Sequence, residues 1–180
     1  FIGLDEWVGV PPENEGSCHF FLYNSLFNPL GLQAGQVHVF NAMAGDLQTE
    51  CNTMDAVINN NGGIDLMIVG IGMNGHIGFN EPGVHFSNYS HVIALDKTTI
   101  EVGQKYFSTA TFVSKGITIG LQHLQEAKQV LLIANSEKKA GVIQQAVEGP
   151  VTENFPASIM QQHSNGIVMV DEAAAGLIKK

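Results

Sequence analysis

One glycine-rich segment carries the polar residues best suited to proton transfer. Residues 70–83 read Gly-Ile-Gly-Met-Asn-Gly-His-Ile-Gly-Phe-Asn-Glu-Pro-Gly. Glycines let a backbone approach a ligand closely and adopt positive φ. His76 exchanges protons near neutral pH, and Asn74 and Glu81 lie close to it in sequence. The segment therefore predicts an active-site loop, the alternative being a glycine-rich turn with one solvated histidine.

Two adjacent carboxylates, Asp5 and Glu6, form a second candidate group. They follow Phe1–Leu4, an apolar run that is typical of a buried strand. A carboxylate positioned at the end of a strand can act as a general acid or base. The alternative for Asp5 is a turn or helix-capping residue.

Lys138 and Lys139 follow a third apolar run, in the first turn of a helix that Ser136 would cap. The helix dipole disfavours cations at that position, so structure alone would not select them. A phosphate gains both the free N–H groups and an ammonium there. The pair thus predicts a phosphate site, the alternative being two solvated surface lysines.

The elements that must position these groups indicate an α/β fold with a mainly parallel sheet and helices on both faces, Rossmann-like in type. The predicted buried strands are Phe1–Leu4, Ile64–Val69, Val130–Ala134 and Gly166–Val170, with a shorter candidate at Gly116–Gly120. One helix starts after Asp46 and buries Leu47, Cys51, Met54 and Ile58; the helix after Ser136 buries Ala140, Ile143 and Val147 and stops at Gly149-Pro150. Ligands bind at the carboxyl ends of parallel strands, so the three candidate groups should meet at one rim.

Composition narrows the classes of partner. The chain of 180 residues has a formal net charge of −9, with eight lysines and no arginine, which argues against nucleic-acid binding. No apolar stretch approaches the length of a membrane span. Cys18 and Cys51 lack metal-ligand spacing and suggest a reduced, cytoplasmic protein.

The ordered motifs of the chain resemble the amino-sugar-phosphate deaminase/isomerase family over almost its whole length. The segments that carry this resemblance are Leu4-Asp5-Glu6-Trp7-Val8-Gly9, residues 72–83, Lys139-Ala140, Pro156-Ala157-Ser158 and Gln162-His163. In detail the chain is most similar to galactosamine-6-phosphate deaminase/isomerase members, as in Asp5-Glu6-Trp7, Pro29-Leu30-Gly31-Leu32, Gly116-Ile117-Thr118 and His163-Ser164-Asn165.

The resemblance implies a cofactor-free and metal-free reaction on a 2-amino-2-deoxyhexose 6-phosphate. The sugar is opened, isomerised toward the 2-ketose and stripped of ammonia by water, an isomerase and hydrolase chemistry. Galactosamine 6-phosphate would give tagatose 6-phosphate, and glucosamine 6-phosphate would give fructose 6-phosphate. Besides this substrate, a second copy of the chain, in a homo-oligomer, is a possible partner. Nucleic acid and membrane are not expected.

The resemblance also assigns roles to residues. Asp5 corresponds to the base that moves the C2 proton to C1, and His76 to the group that handles the ring-oxygen proton, with Glu81 orienting the imidazole. Asn74 stands where some relatives have aspartate and cannot accept a proton at neutral pH. The remaining implied residues contact the substrate: Lys139 and Lys105 at the phosphate, with Glu6 and Gly72. Lys105 stands where glucosamine-type relatives place an arginine, and its alternative is a solvent-facing lysine.

The front of the chain departs from the family pattern. The family's Gly-Ser/Thr-Pro phosphate loop, with its strand and helix, has no counterpart before Phe1. We therefore expect residues 1–180 to be a single catalytic domain without that part. Two other functions stay open: a 6-phosphogluconolactonase-like hydrolase, and a non-catalytic sugar-phosphate sensor.

Overall fold

In residues 1–179, which the computed structural model describes, the chain forms six β-strands and five α-helices. They are β1 Asp5–Trp7, α1 Cys18–Leu22, α2 Leu47–Asn60, β2 Leu66–Val69, β3 His91–Ala94, α3 Lys97–Gly103, β4 Lys115–Thr118, α4 Leu121–Glu126, β5 Gln129–Ala134, α5 Ala140–Glu148 and β6 Gly166–Val170. The α/β class is confirmed. No helix in this part of the chain is long and apolar enough to cross a membrane.

The chain divides into two compact units, each with its own three-stranded sheet. The first unit comprises Phe1–Asn60 and Ser90–Ile119. The second comprises Asn61–Tyr89 and Gly120–Lys180. Each unit is built from two separate stretches of sequence.

The sheet of the first unit is antiparallel, in the order β1-β4-β3, and Asp5 pairs with Thr118. Helix α2 belongs to this unit, and it buries Cys51, Met54 and Ile58 as the spacing predicts, whereas Leu47 in its first turn is only half-buried. The Asp46 side chain accepts hydrogen bonds from the backbone N–H groups of Gln48 and Thr49, so the predicted cap is confirmed.

The strand predicted at Phe1–Leu4 is wrong. These residues make only an isolated bridge between Ile2 and His38, and the strand β1 begins at Asp5. The reason is that their backbone partners lie on different segments: Gly3 N–H donates to the His38 carbonyl, whereas the Leu4 carbonyl accepts from Ile119 N–H. No single neighbouring strand continues past them, so the carboxylates lie within β1 and do not follow a strand.

The sheet of the second unit is parallel, in the order β2-β5-β6. Alternate residues point to a buried face, with Met67, Val69, Val130 and Leu132 between 0% and 6% exposed. The other face is apolar and open: Leu66, Ile68, Ile133, Ile167 and Met169 are 42% to 58% exposed. The expectation of strands buried on both faces is therefore wrong for these positions.

The segment after β5 also differs from its prediction. Ser136 does not cap a helix; it has φ 75° and ψ 151°, a region populated essentially by glycine, at a cost of about 1–3 kcal/mol. A 3-10 turn over Glu137–Lys139 follows, and α5 starts only at Ala140. The helix stops at Glu148, directly before the predicted Gly149-Pro150 breaker. It buries Ala146 where Val147 was expected.

Candidate active site

Three polar side chains of the glycine-rich loop meet in the second unit. The loop leaves β2 at Val69. The Nδ1 atom of His76 lies 3.4 Å from Oε2 of Glu81, and Asn74 donates its amide N–H to the same oxygen at 2.9 Å. The Glu81 side chain is only 4% exposed, whereas that of His76 is 19% exposed. A buried carboxylate thus lies beside an imidazole that keeps part of its surface exposed to solvent.

Glycine at position 72 makes room for this imidazole. A Cβ atom on Gly72 would lie 2.3 Å from Nε2 of His76, so any side chain would displace the ring. The Gly72 N–H also donates to the His76 carbonyl at 2.9 Å. Gly75 is equally constrained, because it has φ +83° and a Cβ there would lie 2.4 Å from the Phe155 ring. The backbone of the loop is shaped around the histidine.

Lys139 reaches the start of the same loop. Its ammonium donates a hydrogen bond to the carbonyl of Ile71, the residue immediately before Gly72. Lys139 is half-buried and its neighbour Lys138 is exposed. Two of the three predicted groups, the loop and the lysine, are therefore brought together at the carboxyl ends of β2 and β5.

Glu6 lies in the first unit and is 3% exposed. Its carboxylate accepts four hydrogen bonds, from Trp7 N–H at 2.9 Å, Ser17 Oγ at 2.6 Å, Cys18 N–H at 3.0 Å and His19 N–H at 2.8 Å. These donors include the free N–H groups at the start of α1. Glu6 therefore anchors α1 to β1, and its predicted contact with substrate stays a prediction.

Asp5, the next residue on β1, has a different surrounding. It is half-buried, and the Cys18 thiol donates a hydrogen bond to its side chain. Burial raises the pKa of the Cys18 thiol well above its ordinary value, and the charges of Asp5 and Glu6 raise it further. The thiol therefore stays protonated and remains a donor to Asp5. Sequence reasoning missed this contact because nothing in the spacing of Asp5 and Cys18 indicates it.

Lys105 lies in the first unit, in the 3-10 turn after α3. It is exposed, and its ammonium sits 4.8 Å from the centre of the Tyr106 ring. Its phosphate contact stays a prediction. In the part of the chain that the structure describes, no three His, Cys, Asp or Glu side chains are grouped to bind a metal ion. A reaction without cofactor stays a prediction as well.

Two motifs of the C-terminal part, Pro156-Ala157-Ser158 and Gln162-His163, make hydrogen bonds within the second unit. The Ala157 N–H donates to the Gly75 carbonyl at 2.8 Å and so holds the loop from outside. The His163 ring lies with Nε2 2.9 Å from the Ala127 carbonyl, and its Nδ1 accepts from Asn165 N–H at 3.1 Å. Both ring nitrogens are therefore used within the fold, which assigns Nε2 as the donor.

Comparison with known proteins gives three findings. The family model described as glucosamine-6-phosphate isomerases/6-phosphogluconolactonase matches residues 4–169. A glucosamine-6-phosphate deaminase of Lachnoclostridium phytofermentans is 44% identical over 163 residues, which are 90% of this chain and 69% of that protein. The solved structure of a monomeric glucosamine-6-phosphate deaminase superposes with a TM-score of 0.93 at 33% identity, covering 98% of this chain and 73% of the other.

A more distant structural match concerns the hydrolase alternative. The 6-phosphogluconolactonase of Trypanosoma brucei superposes with a TM-score of 0.73 at 15% identity, covering 99% of this chain and 74% of the other. At this identity the likeness shows a shared fold alone.

Proposed function

The chain belongs to the family of glucosamine-6-phosphate isomerases and 6-phosphogluconolactonases, and we propose that it isomerises and deaminates a 2-amino-2-deoxyhexose 6-phosphate. The observation that carries this proposal is the group of Asn74, His76 and Glu81, with the Lys139 ammonium at the start of the same loop. It offers a proton-exchanging imidazole within the loop and, at the start of that loop, a cation suited to phosphate. Relatives at 38% to 44% identity are named glucosamine-6-phosphate deaminases, which supports the same activity.

Two expectations about the class of reaction change. Assignment to the hydrolases is wrong, because the matched relatives are named deaminases, and the defining steps are proton transfer between carbons and loss of ammonia. The lactonase reading belongs to more distant relatives. A sensor without catalysis is not favoured, since both Asp5 and His76 are present. We propose glucosamine 6-phosphate as a substrate, because the matched relatives are named for it. Galactosamine 6-phosphate, which the motif details favour, stays an untested alternative.

The proposed proton transfers divide between two residues. His76 handles the ring-oxygen proton during opening, and Glu81 keeps the imidazole oriented, as the 3.4 Å separation allows. Asp5 removes the C2 proton and returns it at C1, work for which a carboxylate contributes roughly 10²–10⁴-fold. The Cys18 thiol, whose pKa is raised by burial and by the charges of Asp5 and Glu6, stays protonated and can donate to Asp5. Asn74 contributes orientation only, because an amide cannot take the proton.

The phosphate is proposed to bind Lys139, with the Gly72 backbone and Lys105 as further contacts.

The test is to incubate the purified protein with glucosamine 6-phosphate and with galactosamine 6-phosphate and to follow the release of ammonia and ketose phosphate. The Lys139→Ala variant should raise KM roughly 10- to 100-fold and lose discrimination against unphosphorylated sugar. Lys138→Ala is the matched control, since that neighbour is exposed.

Two outcomes of this assay would contradict the proposal. Equal losses on phosphorylated and free sugar in Lys139→Ala would remove the phosphate site. Hydrolysis of 6-phosphogluconolactone without ammonia release from either amino sugar would favour the second activity of the family.

We also propose a cytoplasmic location and a homo-oligomer. Light scattering would measure the oligomeric state; the solved relative is described as monomeric.

A further inference from the structure

Ser136 adopts a backbone conformation that ordinarily requires glycine. Among the residues from Phe1 to Lys179 it is the one non-glycine residue with positive φ, at 75°. It lies two residues after the end of β5 and three residues before Lys139. Strain of this kind persists only where surrounding contacts over-determine the backbone, and it concentrates at functional sites.

The contact that holds Ser136 comes from Asp171. Strands β5 and β6 are parallel neighbours, with Ala134 paired to Val170, so the residues that follow them emerge side by side. Both carboxylate oxygens of Asp171 accept the Ser136 N–H, each at 3.1 Å. Asp171 also accepts from Ala174 N–H at 2.8 Å. The backbone N–H of Ala174, and to a smaller extent that of Ser136, lowers the pKa of Asp171. The Asp171 carboxylate is therefore charged at neutral pH.

The other polar group of Ser136 is tied to the lysine. Its carbonyl accepts the Lys139 N–H at 3.0 Å. The Lys139 ammonium in turn donates to the Ile71 carbonyl at the start of the glycine-rich loop. An unbroken series of contacts therefore runs from the end of β6 through Ser136 to the proposed phosphate site.

We propose that Asp171 is a positioning residue for the phosphate-binding ammonium, because it holds Ser136 in the strained conformation from which Lys139 reaches the end of β2. This inference rests on the proposed function, since it takes Lys139 as the group that binds the phosphate monoester. In this role Asp171 acts through Ser136 and Lys139 and needs no contact with the substrate.

A purely structural role would make Asp171 equivalent to Asp46. Asp46 is also exposed, and it also accepts backbone N–H groups, those of Gln48 and Thr49 at the start of α2. Asp46 has no contact in this series, so Asp46→Asn is a matched control. It removes a capping charge without touching the support of Lys139.

The test compares four forms of the protein: wild type, Asp171→Asn, the double variant Asp171→Asn/Ser136→Gly, and Asp46→Asn. We expect Asp171→Asn to raise both KM for the amino-sugar phosphate and the inhibition constant of inorganic phosphate roughly tenfold, with kcat within about twofold. Glycine adopts the same φ without strain, so the double variant should recover most of the loss. Asp46→Asn should leave both constants unchanged.

An unchanged KM in Asp171→Asn, or no recovery in the double variant, would overturn the inference. If Asp171→Asn is too unstable to assay, Ser136→Val probes the same contact, because a β-branched residue tolerates positive φ worst, and an unchanged KM there counts equally against it. Absence of turnover by the wild type would instead remove the proposed function. In that case the rise in unfolding temperature caused by inorganic phosphate, compared between the wild type and the variants, would still show whether Asp171 positions Lys139 for phosphate binding.

Discussion

Glu6 and Glu81 are buried to the same extent, each 3% exposed, yet their surroundings differ in kind. The Glu6 carboxylate receives three backbone N–H groups and one hydroxyl, all of them from β1 and the start of α1. The Glu81 carboxylate faces the Asn74 amide and the His76 imidazole. Backbone donors keep their protons at every accessible pH, whereas an imidazole can give its proton up.

The difference teaches that burial of a carboxylate does not reveal its role, while the chemistry of its donors does. A carboxylate saturated by backbone amides joins two elements. A carboxylate that faces a titratable ring can tune that ring. In the first unit the residue proposed for chemistry is therefore Asp5, and Glu6 holds the helix whose Cys18 contacts it.

The largest expected effect tests which carboxylate of β1 does chemistry. Asp5→Asn should lower kcat by roughly 10²–10⁴-fold while substrate binding stays largely intact, because the amide keeps the shape but cannot take the C2 proton. Steady-state kinetics and substrate binding measured by calorimetry check this. Asp65→Asn, which removes an exposed partner of Lys128, is the control. Near-normal turnover in Asp5→Asn would remove Asp5 as the base.

A second change, at Gly72, displaces the imidazole ring of His76 without replacing a titratable group. Gly72→Ala should lower kcat about 10²-fold, because the new Cβ forces the His76 ring aside and small misplacements of reacting groups are costly. Gly70→Ala is the matched control: a Cβ there meets nothing within 4 Å. Equal activities of the two variants would show that the position of the ring is not critical.

Substitution of the two buried glutamates should affect different properties, turnover for Glu81 and stability for Glu6. Glu81→Gln should lower kcat roughly 10- to 100-fold, the range typical of carboxylates that orient a metal-bound histidine and applied here to His76. Glu6→Gln should instead lower the free energy of unfolding by about 2–4 kcal/mol, because one carbonyl oxygen cannot serve four donors. Chemical denaturation and kinetics of both variants check this. The comparison fails if Glu6→Gln loses turnover at unchanged stability.

The smallest effect concerns the Cys18 thiol. Because its pKa is raised by burial and by the charges of Asp5 and Glu6, its reaction with iodoacetamide at pH 8 should be slow. Asp5→Asn removes one of those charges, so the pKa should fall and labelling should accelerate several-fold. Cys51, whose pKa burial raises to about 11, serves as the internal control. Equal rates at Cys18 in both proteins, read by peptide mass spectrometry, would mean that Asp5 does not act on the thiol.

Local patterns were enough for several elements. The helix after Asp46, the breaker at Gly149-Pro150 and the strand within Ile64–Val69 follow from capping chemistry and from apolar spacing. The loop group could be predicted for the same reason, because Asn74, His76 and Glu81 are close in sequence and glycines let the loop fold back on itself.

Contacts distant in sequence were beyond those patterns. The antiparallel sheet joins β1 to β4, more than 100 residues apart, and no local signal at Phe1–Leu4 indicates that its partners change from one residue to the next. The strained Ser136 is another case. Nothing near it favours φ 75°, and its N–H is bound by Asp171, which lies 35 residues away.

The sequence by itself determined which groups are available for chemistry: a glycine-flanked histidine, the carboxylates at positions 5, 6 and 81, and a lysine after a strand. Only the tertiary structure decided how they are used. It surrounds Glu6 with backbone N–H groups and a hydroxyl, places the Asn74 amide and the His76 imidazole at Glu81, and brings Lys139 to the Ile71 carbonyl. The physical reason is that a side chain's chemistry is intrinsic, whereas its hydrogen-bond partners and its exposure to water depend on which distant segments pack around it.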